Sequence, residues 1–416
     1  MFPTYFVRIP TLKLQLGLSD QALGLLLTLP ALSAVIAMQV AGRLVSRFGS
    51  SAVLRVVMVA LPLTMLGLPL AGSALAAGVA LSLIGMLDGL LGIGMNTHAV
   101  TVERRLGRPI MSGSHAAYSL AAVVAATLGG FALRAATSSF VHFAVAAAIA
   151  LTLGLVGGRA MLPASADRLE APARPDLPPL PDPRDVVWEA HPPAAPAPAG
   201  RGGWTRRVVL LGAMATVVLV GESAVGSWSG VYLHEELDAS LAAASAGYIG
   251  FSICHAGGRL VGDRLETRFG PIPLLQAAGI VAGLGLATVV IAPVFAVTVV
   301  GFALFGLGLS VLLPVILRMA GHEGAGSDHS GAAAALAHIG TLTYAGMLLG
   351  PVVVGWLAQW IGLRETFAGL LLLLGAVFGA GRRGAAAPVG HPTARPAAQA
   401  GQTAEAGQTA QTAQAA

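Results

Sequence analysis

Two carboxylates stand inside long apolar runs of this chain, Glu222 in the stretch GESAVGSWSG and Asp88 in GMLDGLLGIG. Ionisable side chains at membrane depth are costly and mark proton or ion routes by default, so each is a candidate to bind and release a proton. Glu222 is flanked by Gly221, Gly226 and Gly230, small residues that let neighbouring helices approach closely. On a helix, Asp88, Asn96 and Glu103 fall within an arc of about 80° and form one polar face. Glu103 adjoins Arg104 and Arg105 and reads as part of a structural ion pair, while Gly85, Gly89 and Gly92 read as a packing stripe.

A second constellation is Tyr248, Ser252, His255 and Arg259, spaced i, i+4, i+7 and i+11. That spacing keeps them within about 60° of arc, one stripe along a helix. Tyrosine and serine hydroxyls would bond a hydroxylated solute, and histidine would carry a proton near neutral pH. The bland alternative is an interhelical hydrogen-bond ladder. His115 with Tyr118, and His338 with Thr341 and Tyr344, make two smaller sets at helical spacing. Trp228 reads as an interfacial anchor.

Groups for bond-making chemistry are missing. The sequence contains no GxxxxGK[ST], HExxH, GxSxG or CxxC stretch, so ATP-driven transport, intramembrane proteolysis and redox work lack their residues. Neither enzyme activity, a cofactor nor a metal is expected. Cys254 is the one cysteine, which excludes an intrachain disulfide.

The elements that must position these side chains follow from composition. Of 416 residues 55% are hydrophobic and 10% charged, with a mean hydropathy of +0.77, against about 25% charged in a soluble domain. Apolar runs of spanning length fall at about 21–41, 51–71, 75–97, 113–134 and 139–160, then at about 207–233, 241–260, 272–292, 294–318, 331–356 and 360–380. The expected fold is an all-α polytopic membrane protein with about 11 full spans. Between the two series, 161–205 holds 11 of the 25 prolines and reads as a linker; the low-complexity end reads as a disordered tail. The expected organisation is therefore 1–160 as one helix bundle, 161–205 as a Pro-rich cytoplasmic linker, 206–381 as a second bundle and 382–416 as a cytoplasmic tail.

The pI near 10 comes from 23 Arg and one Lys strung between apolar runs without interleaved aromatics, which argues against nucleic acid. Topology accounts for them instead. With loop 42–50 in the cytoplasm, 20 of the 24 basic residues face inward, and Arg8, Lys13, Arg134 and Arg364 face outward beside the acidic loop HEELDAS. This is the positive-inside pattern.

The stretch GRLVSRFGS from Gly42 is echoed 216 positions later by GRLVGDRLETRFG from Gly258. Both copies follow an apolar span, so each series reads as a copy of one unit, two bundles related by a parallel repeat. Here the chain resembles the major facilitator superfamily, whose loop signature is Gly-x-x-x-Asp-Arg-x-Gly. Gly42, Arg47 and Gly49 match it, with Ser46 in the acid's place; the second copy keeps Gly258, Gly262, Asp263 and Arg264. The stretches RIPTLKLQLGLSDQALGLLL, NTHAVTVERRLGRPIMSGSHAAYSL and VGESAVGSWSGVYL are similar to a bacterial branch of that superfamily, the inner-membrane YbjJ-like transporters.

That resemblance implies two six-helix bundles, a cytoplasmic gating motif at those glycines, arginines and Asp263, and secondary transport of a small solute by alternating access. A proton is the expected coupling ion, through Glu222 or Asp88. A multidrug or metabolite exporter and a non-transporting receptor or scaffold are the alternatives. The implied location is the bacterial inner membrane, multi-pass, with a cytoplasmic C-terminus, as a monomer in contact with lipid, solute and protons. A sixth span is missing from the first series, and residues 1–12 read as the outer end of a helix whose start lies upstream. Few buried basic residues argue against a polyanionic solute and favour a neutral polar one.

Overall fold

The structure, a computed structural model, describes residues 2–107, 110–163, 166, 205–324 and 330–385; side chains at 2, 111, 112, 115, 116, 321–324, 330–338, 344 and 380–385 fall outside the description. Among the described residues all regular structure is helical. Two short helices, α1 (Phe2–Phe6) and α2 (Ile9–Leu16), precede eleven of 16 residues or more: α3 (Asp20–Phe48), α4 (Ser50–Met65), α5 (Ala74–Leu106), α6 (Met111–Arg134), α7 (Ser139–Ala160), α8 (Arg206–Glu235), α9 (Leu241–Phe269), α10 (Pro271–Ile291), α11 (Phe295–Gly324), α12 (Ser330–Ile361) and α13 (Leu363–Ala385). These eleven coincide with the eleven apolar runs. Eight are long and apolar enough to cross a membrane, and α4 is a shorter apolar helix.

Helix is the only open-ended solution for such segments, because hydrocarbon offers no partner for a backbone N–H or C=O. The ends are satisfied locally. Ser19, Ser73, Ser138, Thr205 and Ser240 each accept a backbone N–H three residues on, at 3.1–3.3 Å. Side chains such as Leu75, Ile291 and Leu372, each about three-quarters exposed (79%, 76% and 74%), point outward from the bundle, and that much outward apolar surface needs lipid. The chain is a multi-pass membrane protein.

Helices α1–α7 form one half and α8–α13 the other. Their repeat is real, but its register is not the one that the GRLV echo suggests. Helices α3 and α9 are both 29 residues long. Their N-caps Ser19 and Ser240 and their C-caps Gly49 and Gly270 are each 221 positions apart, and so are the starts of α4 and α10 and of α5 and α11. Capping sets that register, since Gly49 (φ 87°) and Gly270 (φ 82°) both make the positive-φ break that glycine alone enters without strain. Gly42-Arg43 therefore matches Asp263-Arg264, and Arg47-Phe48-Gly49 matches Arg268-Phe269-Gly270. The guanidinium of Arg47 lies 5.3 Å over the Phe48 ring, and that of Arg268 5.4 Å over Phe269. Gly258-Arg259-Leu260-Val261 falls opposite Ala37–Val40 instead, so the GRLV similarity crosses the repeat out of step.

The second half is held by an aromatic cluster. Tyr232, Phe302 and Phe367 are essentially fully buried and meet edge to face with centroids 5.3–6.0 Å apart, and the Tyr232 hydroxyl donates to Val289 O at 2.9 Å. In the first half, Arg8 ties the turn between α1 and α2 to the start of α7. Its Nε donates to His142 Nδ1 at 3.1 Å and its Nη2 to Thr137 O at 2.8 Å.

Contacts between the halves gather at the end that holds Lys13. There α3 meets α12 at Gly24 and Gly355: a Cβ on Gly24 would lie 2.7 Å from Pro351 O and 3.1 Å from Gly355 Cα. Near the same end α6 meets α9, where a Cβ on Gly130 would lie 3.0 Å from Ser245 Oγ. Lys13 Nζ reaches Asp20 on α3, at 2.6 Å, and Glu235 at the end of α8. Its side chain is only 11% exposed, so this ion pair closes over the packed glycines.

Candidate functional site

Between the halves lies a cavity of about 320 Å³. Helices α1, α3, α5 and α6 line it from one half and α8, α9 and α12 from the other. Polar groups enter from several helices: Asp88 from α5, Tyr118 and Ser119 from α6, Glu222, Ser223 and Ser227 from α8, and Tyr248, Ser252, His255 and Arg259 from α9. The rest of the wall is apolar, including Phe6, Leu27, Leu219, Phe251 and Met347.

Local sequence explains how each group is aimed. Asp88 sits between Gly85 and Gly89, and both glycines press α5 onto the backbone of α3. A Cβ on Gly89 would lie 2.5 Å from Ala34 O, and one on Gly85 would strike Pro30 and Ser33. Gly92 has open space around it, so two of the three stripe glycines do the packing. Gly221 is packed by Phe305 and Gly226 by Phe6, which fixes α8 on both sides of Glu222. The α9 stripe holds together as its spacing implies. Tyr248 and Ser252 line the cavity together, and His255 stacks on Phe251 with centroids 5.3 Å apart and planes 13° apart. Tyr248 is also met edge-on by Phe6, at 5.2 Å.

Charges face each other across this space. Tyr118 lies in the field of Asp88, Glu222 and Arg259, and His255 in that of Glu222 and Arg259. Among the described residues neither Asp88 nor Glu222 has an ion-pair partner. Ser119, Ala256 and Arg259 also line a second space, of about 590 Å³, which continues along α9 and α11 past Asp263, Glu266 and Arg318. The two spaces adjoin at Ser119, Ala256 and Arg259, and the second lies toward the Asp263 end of α9.

Seven of the polar residues singled out in the sequence thus share one cavity: Glu222, Asp88, Tyr118, Tyr248, Ser252, His255 and Arg259. Asn96 does not join them; it is exposed, two turns beyond Asp88 on α5. The side chains of His115, His338 and Tyr344 lie outside the described residues. Glu103 accepts the Ile110 backbone N–H at 2.6 Å, which bridges α5 to α6. Trp228 is no interfacial anchor: it is fully buried, and its ring packs beside Gly355.

The gating-motif residues divide by role. Gly258 and Gly262 seat α9 on Ser310 and Val311 of α11, whereas Gly42 has open space around it. Asp263 accepts from Arg318 Nη2 at 3.0 Å, and Glu266 pairs with the same nitrogen at 2.6 Å. Asp263 thus binds α11 of its own half, while Arg264 is exposed. Ser46 donates to Arg43 O at 3.0 Å, and its counterpart Thr267 donates to Asp263 O at 2.8 Å. Sequence reasoning missed Lys13, Asp20 and Glu235. The signal was present, since Lys13 is the one lysine of the chain and faces an acidic loop.

The family model of the Major Facilitator Superfamily matches residues 2–337 and 211–402. The chain belongs to that superfamily. Among curated relatives, the uncharacterized transporter y4wD of Sinorhizobium fredii is 30% identical over 379 residues, covering 90% of this chain and 92% of its own. An uncharacterized MFS-type transporter of Yersinia pestis is 29% identical over 366 residues, 88% and 87% of the two chains. Among solved structures, the nucleoside transporter NupG overlays with a TM-score of 0.66 at 13% identity, over 92% of this chain and 95% of its own. A bacterial homologue of the human lysosomal transporter Spinster, described as inward-facing and occupied, overlays with a TM-score of 0.63 at 14% identity, over 92% and 94%. At such identities the likeness is one of fold, and with the family and its relatives it makes this major facilitator a membrane transporter.

Proposed function

We propose that this transporter moves a small polar solute by alternating access and couples that movement to protons through Glu222. The supporting observation is the cavity itself. It lies between two repeat-related halves, is sealed at the Lys13 end by helix packing and an ion pair, and adjoins a second space toward the Asp263 end of α9. A volume of about 320 Å³ suits a solute at the small end of the usual ligand range. With the arginine-rich end in the cytoplasm, the protein sits in the inner membrane with its C-terminus inside, and this is the inward-facing state.

Glu222 is the preferred carrier because it stands on α8 one turn from Gly226, whose contact with Phe6 of the other half must part when the halves rock, and because it has no ion-pair partner among the described residues. A proton gradient of one pH unit supplies about 1.4 kcal/mol per proton, and each 100 mV about 2.3 kcal/mol more. The test is uptake into proteoliposomes of the solute that thermal-shift screening selects. Glu222→Gln should keep exchange of that solute between the two sides and lose its gradient-driven accumulation, while Asp88→Asn should retain both. Accumulation that persists in Glu222→Gln, or wild-type uptake indifferent to an imposed pH gradient and potential, overturns the proton-carrier role.

A further inference from the structure

We propose that Arg259 is the substrate-anchoring residue of this transporter and that the substrate is a small hydroxylated monocarboxylate, its carboxylate held by the Arg259 guanidinium and its hydroxyls directed to Tyr248 and Ser252. This rests on the transport reading above and deepens it. Arg259 lines both chambers, so anything passing between them meets it.

Among the described residues Arg259 is left without a protein acid. Its natural partner is Asp263, one turn on along α9, because residues four apart on a helix are neighbours. Arg318 of α11 engages that carboxylate, and Glu266 with it. Among the described residues no carboxylate pairs with Arg259. A guanidinium presents a rigid fork of donors that fits a carboxylate with two parallel bonds. Placed on a transport path and relieved of its own acid, it is a site for a ligand's anionic group. Ser252 and Tyr248 lie two and three turns away on the same stripe of α9, on the central-cavity side, about 10 and 16 Å along the helix axis, so an extended hydroxylated chain held by the long Arg259 side chain meets Ser252 first and Tyr248 beyond it.

The charge balance agrees with one negative charge and no more. Asp88 and Glu222 face the same cavity, and both repel an anion. Protonating Glu222 removes one of those repulsions, so anion and proton favour each other's binding, and by linkage the favour is mutual. A polyanion would meet one guanidinium and two carboxylates, and is excluded.

The test is equilibrium binding by the purified full-length protein in nanodiscs, which needs no transport and no gradient. The probes are gluconate and glucuronate, each beside its uncharged amide, gluconamide and glucuronamide, with thermal shift and titration calorimetry as readouts. At least one carboxylate should stabilise the wild type and outbind its amide at least tenfold. Arg259→Gln should weaken that carboxylate at least tenfold, Arg259→Lys should fall between, and all three proteins should share the same ligand-free Tm within a degree or two. Binding of neither carboxylate, equal binding of carboxylate and amide, or an undiminished affinity in Arg259→Gln would each overturn the proposal. A protein that binds the carboxylate yet does not accumulate it under a proton gradient refutes the coupling reading alone.

Discussion

Gly24 on α3 and Gly355 on α12 touch backbone to backbone: a Cβ on Gly355 would lie 2.9 Å from Gly24 Cα and 2.5 Å from Asp20 O. Neither obstacle is a side chain that can swing aside. The two residues come from opposite halves, and their contact seals the cavity at one end.

A methyl group there must push the helices apart. Overpacking of this kind costs about 1–3 kcal/mol; the clashes with Gly24 and Asp20 burden the sealed state alone, whereas the one with the Trp228 ring, 2.9 Å away in the same half, burdens both states. In a Cys254→Ser background, Gly355→Ala should raise labelling of a cysteine placed at Ser223, in the cavity wall, by an impermeant maleimide from the Lys13 side, by about fivefold or more. Unchanged labelling would mean that the glycine contact does not control access.

Lys13 holds Asp20 and Glu235 across the same seam. With Lys13→Gln the two carboxylates keep their charges and lose the cation between them. Exposed pairs contribute on the order of 1 kcal/mol or less, but Lys13 and Asp20 are only 11% and 19% exposed, and removing the cation leaves two like charges partly buried and unpaired, so this variant should open more readily than Asp20→Asn combined with Glu235→Gln. Salt should narrow the difference, since the Debye length falls to about 3 Å at 1 M. The same labelling assay reads it, and equal rates in both variants would refute the ion-pair role.

Arg8, 5% exposed, serves two acceptors through two different nitrogens. Arg8→Ala should lower stability by about 1–3 kcal/mol, read as a drop in Tm in detergent. Arg8→Lys should not rescue it, because one ammonium replaces a planar fork. Full rescue by lysine would show that charge alone matters there.

Arg318 protects Arg259 by occupying Asp263. Arg318→Gln should therefore release Asp263 to pair with Arg259 and weaken carboxylate binding severalfold, and adding Asp263→Asn should restore it. If the double variant binds no better than the single one, Arg318 acts by some other route.

Most of the fold was legible because lipid admits few solutions: apolar runs of span length had to be helices, and the runs found were α3–α13. Helical spacing was equally reliable for the α9 stripe, since 100° per residue fixes a face wherever the helix is regular. Depth and partner were not legible. Trp228 looked interfacial because it stands near the end of its apolar run, yet the absent Cβ of Gly355 gives its ring a slot inside the bundle. The repeat was misread for a related reason. GRLV is conspicuous as letters, while the register is set by capping serines and positive-φ glycines that look unremarkable in sequence. The partnership of Lys13 with Glu235 joins residues far apart in the chain, and no periodicity within one helix could announce it.

The central claim is that solute crosses only if the Lys13 end parts. A Cβ on Gly130 would stand 3.9 Å from Ser245 Cβ, within the 3.5–4.5 Å that a disulfide needs. In the Cys254→Ser background, Gly130→Cys with Ser245→Cys should oxidise spontaneously and pin α6 to α9. Proteoliposomes carrying the oxidised protein should bind solute from the cytoplasmic side but transport none of it, and a reductant should restore uptake to at least half that of the Cys254→Ser parent. Uptake that continues undiminished while the disulfide is intact would contradict the account.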